Sequence, residues 1–408
     1  MKQIAVIGFG VVGGGVVSLI DENASFIREA VGEDVYVKYI LDLRDFPDSP
    51  YGDRVVHDAE TIFADPEVSL VVETMGGVHP AREFSVRALS CGKHVITSNK
   101  ELVAKHGAEL MAKAKENGAA YLYEASVGGG VPLIRSMRTS LAGDRIDSVS
   151  GILNGTTNYI LTRMRDGGIS FEDALAEAQQ LGYAEKDPSA DIHGFDAQRK
   201  IMILCAVATG YIVDESSVYT ETMSRVTLED IEAARRLGGA VRLIGSFRRE
   251  EAGAAISVCP RIVPGNNPLS DINDVYNGMS VTSRLTGDVM YYGRGAGRYP
   301  TAGAVISDVI AALNGAYQKE SHPTWEAAPA DFVCDFADSH SRVYVRVSDA
   351  ARGEILDSAS LLLGDVKSLD GTQEGKVEFV TEILPEKQIA EAIRHLPGRV
   401  ESVLRFLI

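Results

Sequence analysis

The 408-residue sequence predicts an α/β protein that opens on a doubly wound parallel sheet and continues into mixed α+β regions. Three observations predict this class. An apolar strand runs straight into a G-x-G-x-x-G turn and a helix; further strand-like runs alternate with helical spacing; and after about Pro132 the alternation gives way to an α+β pattern. A composition of 45% hydrophobic and 24% charged residues is ordinary for a globular chain of two or three domains.

The first strand is Lys2 to Ile7, followed by Gly8-Phe9-Gly10-Val11-Val12-Gly13 and a stretch with helical apolar spacing. The first glycine allows the tight turn and the second lets main chain approach a pyrophosphate. The third lets the helix pack on the strand, and the helix N-terminus favours the anion. Gly8, Gly10, Val11, Val12 and Gly13 therefore read as a dinucleotide-binding turn of Rossmann type. The runs VYVKYIL, SLVVETM, HVITS and AAYLYEAS supply further strands. The acid expected after the second strand is Asp42, about thirty residues beyond Gly13 where about twenty is usual, and the excess reads as one long first helix. Asp42 suits the ribose hydroxyls of NAD and Arg44 the extra phosphate of NADP, a choice the sequence leaves open. Thr74, Met75, Gly76 and Gly77, then Ser98, Asn99 and Lys100, fall at carboxyl ends of strands, where such sheets bind ligands.

This first domain is expected to span residues 1–131 and ends in EASVGGGVP, Glu124 to Pro132. A glycine triplet after a strand frees carbonyls to face one another or an ion, and from the residues alone a hinge between domains is the reading. The second domain, 132–322, brings Asn154-Gly155-Thr156-Thr157-Asn158 to a helix start. Asn and Thr side chains with free amides there make a neutral hydrogen-bonding cradle for a carboxylate or carbonyl. Next comes LGYAEKDPSADIHGFDAQRK: a loop with Gly182, Glu185, Asp187, Pro188 and Asp191, then a helix opened by Gly194 in which Asp196 and Lys200 stand four apart. That spacing puts both on one face, one turn apart. The following IMILCAVATG is apolar on all sides and reads as buried, anchoring the face at a core boundary. Such a pair is most often solvated and worth a few tenths of a kcal/mol. Here Glu185, Asp187 and Asp191 crowd it, and like charges repel unless a cation or a cationic ligand, such as a substrate amino group, sits among them. The later GRGAGRYPTAGAVISD holds Gly295 and Gly297, which either close over the cofactor or form a structural turn, before a helix expected to pack back on the first domain.

The formal net charge of −17 argues against nucleic-acid and anionic-membrane binding, since both need a basic face. Cys91, Cys205, Cys259 and Cys334 show no metal-like or CxxC spacing and sit among apolar neighbours, which suggests buried free thiols in a reducing cytoplasm. The chain starts directly on its first strand, so no signal peptide is expected, and no apolar run reaches membrane-spanning length.

In order, GFGVVG, ETMGG, SNKELVA, YEASVGGGVP, LNGTTNYIL, LGYAEKDPSADIHGFDAQRK and GRGAGRYPTAGAVISD closely resemble the homoserine dehydrogenases over roughly residues 1 to 315. The resemblance implies NAD(P)-dependent interconversion of L-homoserine and L-aspartate 4-semialdehyde, and a substrate domain whose sheet also forms a homodimer or homotetramer interface. It implies that Lys200 and Lys100 are catalytic, and that Glu185 and Asp196 hold substrate with Asp191, Gly182, Asn154 and Thr156 nearby. It also makes Glu124, Val127, Gly129 and Val131 a loop for a monovalent cation, Na+, in place of the plain hinge.

Residues 323–408, with Trp325, Ser341 to Ser348, Lys376 to Leu384, PEKQIAEAIRHL and VESVLRFLI, resemble the ferredoxin-type ACT regulatory module of many family members, which implies amino-acid feedback by threonine. The usual Arg-Pro-Gly turn appears only as Ala351-Arg352-Gly353-Glu354, and the helix after it reads as short or irregular. Two competing readings remain: another amino-acid-type dehydrogenase, and a non-catalytic dinucleotide and amino-acid sensor. A phosphate-dependent semialdehyde dehydrogenase would need a nucleophilic cysteine near a base, which neither Cys91 nor Cys205 offers. A sensor has no use for Lys100, Asp196 and Lys200 together.

Overall fold

The computed structural model describes residues 1–251, 253–319, 324–370 and 375–408. The chain forms two compact units, one of Met1–Val149, Arg199–Val213 and Ser280–Ala328, the other of Ser150–Gln198, Asp214–Met279 and Pro329–Ile408. The boundary expected at 322/323 falls outside the described residues.

The first unit carries six parallel strands, β1 (Lys2–Ile7), β2 (Val35–Leu41), β3 (Val55–Val56), β4 (Val68–Glu73), β5 (His94–Thr97) and β6 (Tyr121–Leu122), in the order β3-β2-β1-β4-β5-β6. Strand order reverses at β1, so Ile7 lies between Leu41 and Glu73 and the ligand crevice of such sheets opens there. Ile4, Val6, Leu70, Val72 and Ile96 are buried with Val16, Val17 and Ile20 of the first helix and Val305 and Val309 of helix Arg298–Leu313. Each such side chain contributes about 1.5–3 kcal/mol on burial. The helix after Gly297 thus sits in this core, although its sequence position is far from it.

Several elements differ from the sequence reading. The first helix is not one long helix but two, Val11–Glu22 and Ala24–Val31, broken at Asn23, whose φ −107°, ψ 21° leave the helical basin. AAYLYEAS is a strand only at Tyr121–Leu122, because Glu124–Ser126 turn as a 3-10 helix. Tyr276–Ser283 and Gly287–Arg294 form a hairpin turned at Gly287 with φ +78°. Trp325, read with the C-terminal region, belongs to the first unit, buried edge-on against Tyr123 at 5.2 Å. Cys91 is exposed because it caps the end of helix Ala81–Ser90, whereas Cys205 and Cys259 are buried; none of the four cysteines is in a disulfide.

In the second unit, Gly239–Arg249, a strand the sequence did not announce, pairs antiparallel with Ala254–Pro264 along its whole length. The C-terminal part runs strand Val343–Ser348, helix Arg352–Leu363, strands Val366–Ser368 and Lys376–Thr381, helix Glu386–His395, strand Arg399–Phe406. Its strands lie in the order fourth, first, third, second, and the fourth continues the sheet by pairing with Ala254–Pro264 at Arg261↔Arg405. Val343, Val345 and Val347 share one face and bury Ile355, Ala359 and Ile389 of the two helices. The helix after Ala351 is regular over twelve residues, which corrects the expectation of a short or irregular one. Among the described residues no helix is long and apolar enough to cross a membrane.

Candidate active site

The glycine turn has the geometry its spacing requires. Gly8 adopts φ +93°, and its carbonyl accepts from Thr74 Oγ1 at 2.8 Å, while Thr74 N donates to the Ile7 carbonyl at 2.9 Å. A Cβ on Gly13 would stand 1.9 Å from the Gly8 oxygen, so only glycine lets the helix approach the strand this closely. A Cβ on Gly10 would meet nothing within 4 Å, and the helix from Val11 has no acid in its first turn and no side-chain cap. Gly10, Val11 and Val12 therefore present an open, unneutralised helix N-terminus that suits a pyrophosphate.

Asp42 accepts from Phe9 N at 2.9 Å, from Arg44 N and Nε at 3.0 Å and from Arg44 Nη2 at 3.1 Å. The Arg44 guanidinium holds its carboxyl down to about 2. Asp42 and Arg44 are thus bound to each other, and Arg44 is otherwise exposed, lying over the Phe46 ring at 5.0 Å.

The loops after β4 and β5 are organised by a residue the motifs did not single out. Glu73, 1% exposed, ends β4; its Oε1 accepts from Met75 N at 2.6 Å and its Oε2 from Thr97 Oγ1 at 2.5 Å. Desolvation pushes its carboxyl up to about 7, opposed by these hydrogen bonds. Thr97 Oγ1 accepts from Asn99 N at 2.9 Å, and Asn99 Nδ2 donates to the Gly77 carbonyl at 2.6 Å. Ser98 N donates weakly to the Glu73 carbonyl at 3.4 Å, while Gly76 and Gly77 are exposed. Asn99 then caps helix Lys100–Glu116 by accepting from Leu102 N at 3.1 Å, which puts Lys100 at the helix's first position. An acid closing an apolar strand was the available signal for Glu73.

Helix Phe195–Thr209 begins with Asp196 and Lys200 one turn apart, both buried, and continues through fully buried Ile201 to Ala206 as its apolar run predicts. Arg199, beside Lys200, meets Glu101, beside Lys100, at 3.2 Å; Glu101 also binds Lys105 at 2.8 Å. The Lys105 bond first, then the Arg199 and Lys100 charges, lower the Glu101 carboxyl.

In the second unit Asn154 joins two acids. Its Nδ2 donates to Asp191 Oδ1 and Asp196 Oδ2, both at 2.8 Å, while its Oδ1 caps helix Gly155–Gly167 by accepting from Thr157 N at 2.8 Å. Asp191 sits in a short helix, Ser189–Ile192, rather than in a loop, and Asp187 accepts from Ser189 N at 3.1 Å as that helix begins. Thr156 Oγ1 donates to the Tyr183 carbonyl at 2.6 Å, next to Gly182 with φ +76°. Glu185 is exposed and is not brought to the Asn154 group by any bond among those described. The Asn154–Asn158 cradle needs correction: Asn158 is buried and donates to the carbonyls of Ile272, Asp274 and Tyr276, holding a loop instead of facing a ligand.

Glu124, expected with Val127, Gly129 and Val131 at a cation, directs its carboxylate to Ile134 N at 3.0 Å and Arg135 N at 2.6 Å. Burial first, then the Asp308 charge, push it up to about 7. A Cβ on Gly129 would meet the Gly295 carbonyl at 2.5 Å, so Gly295 packs on this loop, and Gly297, φ +118°, caps helix Arg298–Leu313.

Residues 8–124 match the family model described as homoserine dehydrogenase, NAD binding domain, and residues 132–310 match that described as homoserine dehydrogenase. A homoserine dehydrogenase of Bacillus subtilis is 40% identical over 314 residues, 76% of this chain and 72% of the relative. The chain belongs to the homoserine dehydrogenase family. The crystal structure of a homoserine dehydrogenase from Thiobacillus denitrificans superposes with a TM-score of 0.91 at 33% identity, over 99% of this chain and 98% of that one. A hyperthermophilic archaeal homoserine dehydrogenase in complex with NADPH aligns with a TM-score of 0.67 at 28% identity, over 79% and 99%. As a homoserine dehydrogenase, the chain is an NAD(P)-dependent oxidoreductase that interconverts L-homoserine and L-aspartate 4-semialdehyde.

Proposed function

We propose that Lys200 exchanges the proton with the substrate oxygen and that Lys100 adds a second positive charge stabilising that oxygen as alkoxide. The bound nicotinamide supplies the hydride chemistry at the carbon. An oxygen that gains negative charge in the transition state is stabilised by preplaced cations, and a buried lysine can also deliver the proton. Asp196 orients Lys200 one turn away, and Asp191 and Glu185 take the substrate amino group, with Asn154, Thr156 and Gly182 shaping that end. The Asn154 amide carries this reading, because it holds Asp191 and Asp196 together and so keeps a paired negative charge where an ammonium would be drawn. Replacing Lys200 by Met is expected to lower turnover by about 10² to 10⁴ with cofactor affinity intact. Near-parent turnover, followed by nicotinamide absorbance with homoserine, would remove the assignment.

The finer ligand preferences belong to the same reading. Arg44 is the group we assign to the 2′-phosphate of NADP and Asp42 to the ribose hydroxyls of NAD, with Thr74, Met75, Gly76, Ser98, Gly295 and Gly297 around the rest of the dinucleotide. The Asp42–Arg44 pair and the NADPH complex of the archaeal relative support both cofactors. A Na+ ion is assigned to the main chain of Glu124, Val127, Gly129 and Val131; Gly128 and Gly129, both at positive φ, support it by turning successive peptides. Exchange of Na+ for choline, read as turnover and melting temperature, tests it. The strand order of residues 343–406 supports an ACT-like module, which a threonine titration of turnover tests, and light scattering tests the homodimer or homotetramer. Four cysteines outside any disulfide fit a cytoplasmic location.

A further inference from the structure

The carboxylate of Glu73 closes a ring of hydrogen bonds around the strand ends. From Glu73 the chain runs to Gly77, whose carbonyl accepts from Asn99 Nδ2; Asn99 N donates to Thr97 Oγ1, and Thr97 Oγ1 donates back to Glu73. One carboxylate oxygen serves the loop after β4 through Met75 N, and the other serves the turn after β5 through Thr97. Both ends of Thr74–Gly77 are therefore tied to the turn that starts helix Lys100–Glu116. A buried carboxyl is a poor source of stability, since an apolar side chain of similar volume would avoid the desolvation cost. Among the buried valines and leucine of β4, such a side chain would suit the strand. What the carboxylate adds is direction: two acceptors at fixed angles, which hydrocarbon lacks.

We propose that Glu73 is a positioning residue of the reaction, locking the Thr74–Gly77 loop and the Ser98–Lys100 turn into one unit so that Lys100 is presented in a fixed place beside the cofactor loop. This rests on the reading of Lys100 as an active-site lysine. Glu73 is 1% exposed and its bonds run to Met75 N and Thr97 Oγ1, so it acts through Thr97 and Asn99.

The test compares Glu73→Gln, Glu73→Ala, Thr97→Val and Lys100→Met in the full chain, by kcat, cofactor KM and melting temperature. Gln keeps an acceptor for Met75 N but turns an NH2 donor toward Thr97 Oγ1, so Thr97 can no longer donate there and its hydroxyl must reorient; Val removes the hydroxyl, and with it the acceptor for Asn99 N, with little change of volume. Both are expected to lower kcat by about tenfold to about a hundredfold, the scale of a sub-ångström to one-ångström misplacement, with cofactor KM within about twofold. Glu73→Ala, which also frees Met75 N, is expected to add a rise in cofactor KM. In the Lys100→Met background, Glu73→Gln is expected to lower kcat no further, because residues that act as a unit are not additive. Parent kcat in both Glu73→Gln and Thr97→Val, with only the melting temperature lowered, overturns the proposal and leaves Lys100 in place. An equal further loss in the Lys100→Met background overturns the route through Lys100. Parent turnover in Lys100→Met instead removes the Lys100 reading itself, and the proposal with it.

Discussion

Gly13→Ala separates packing from ligand binding at the cofactor turn. The added methyl would stand 1.9 Å from the Gly8 carbonyl oxygen and 2.8 Å from Thr74 Oγ1. Non-bonded carbon and oxygen settle near about 3.3 Å, so a gap of more than an ångström must open between helix Val11–Glu22 and β1. Thr74 can rotate, at the loss of its 2.8 Å bond to the Gly8 carbonyl. The Gly8 oxygen is main chain, held by a residue at φ +93°, and cannot rotate away alone. Overpacking of this kind costs about 1–3 kcal/mol, and a main-chain clash belongs at the upper end. For a unit of this size about 3 kcal/mol lowers the melting temperature by about 6–12 °C. Gly10→Ala is the matched control, because its methyl meets no atom within 4 Å. It is expected to melt with the parent yet to weaken cofactor binding by about tenfold or more, since it stands where the pyrophosphate approaches. Thermal unfolding without cofactor and nicotinamide fluorescence with it read the two effects. A Gly13→Ala protein that melts with the parent, or a Gly10→Ala protein that is the destabilised one, refutes the packing argument.

Other outcomes follow from the same geometry. Arg44→Ala, by releasing the Asp42 carboxylate from its guanidinium, is expected to raise KM for NADP and lower it for NAD; parallel changes in both would show that this pair does not set preference. Glu101→Arg and Arg199→Glu are each expected to reduce turnover by about threefold to tenfold, and the double swap to restore most of it, because the pair links the residues beside Lys100 and Lys200. An additive double variant would sink that link. The third concerns pH: burial raises Glu73 from 4.5 to about 7, so the folded chain keeps a proton that the unfolded chain releases. Its contribution is fully present below the unfolded value, is lost as pH rises toward about 7, and is flat above; the loss is on the order of 3 kcal/mol. Denaturant unfolding at pH 5 and pH 8 is expected to show a flatter profile for Glu73→Gln than for the parent, and identical profiles would contradict the assignment.

Much of the fold was readable because its signals are local. The glycine spacing, the buried valine and isoleucine runs of β1, β2 and β4, and the apolar continuation after Lys200 each follow from neighbours along the chain. The misreadings have different causes. Asn23 breaks a helix whose apolar pattern continues past it, and Gly239–Arg249 is a strand whose eleven-residue antiparallel partner, Ala254–Pro264, follows it directly in the chain, so the pair lay within reach of a local reading. The cradle at Asn154–Asn158 was over-read because the carbonyls that Asn158 serves are more than a hundred residues away.

The sequence by itself determined the dinucleotide turn, the family and the helix that sets Asp196 and Lys200 one turn apart, because each rests on periodicity or on motifs read in order. Only the tertiary structure decided that Asn154 sits between Asp191 and Asp196, that Arg44 is bound to Asp42, and that Glu73 ties the loop of Met75 to the turn of Lys100. A polar side chain announces its donors and acceptors in the sequence; which of them it uses is set by the groups that burial brings within about 3 Å.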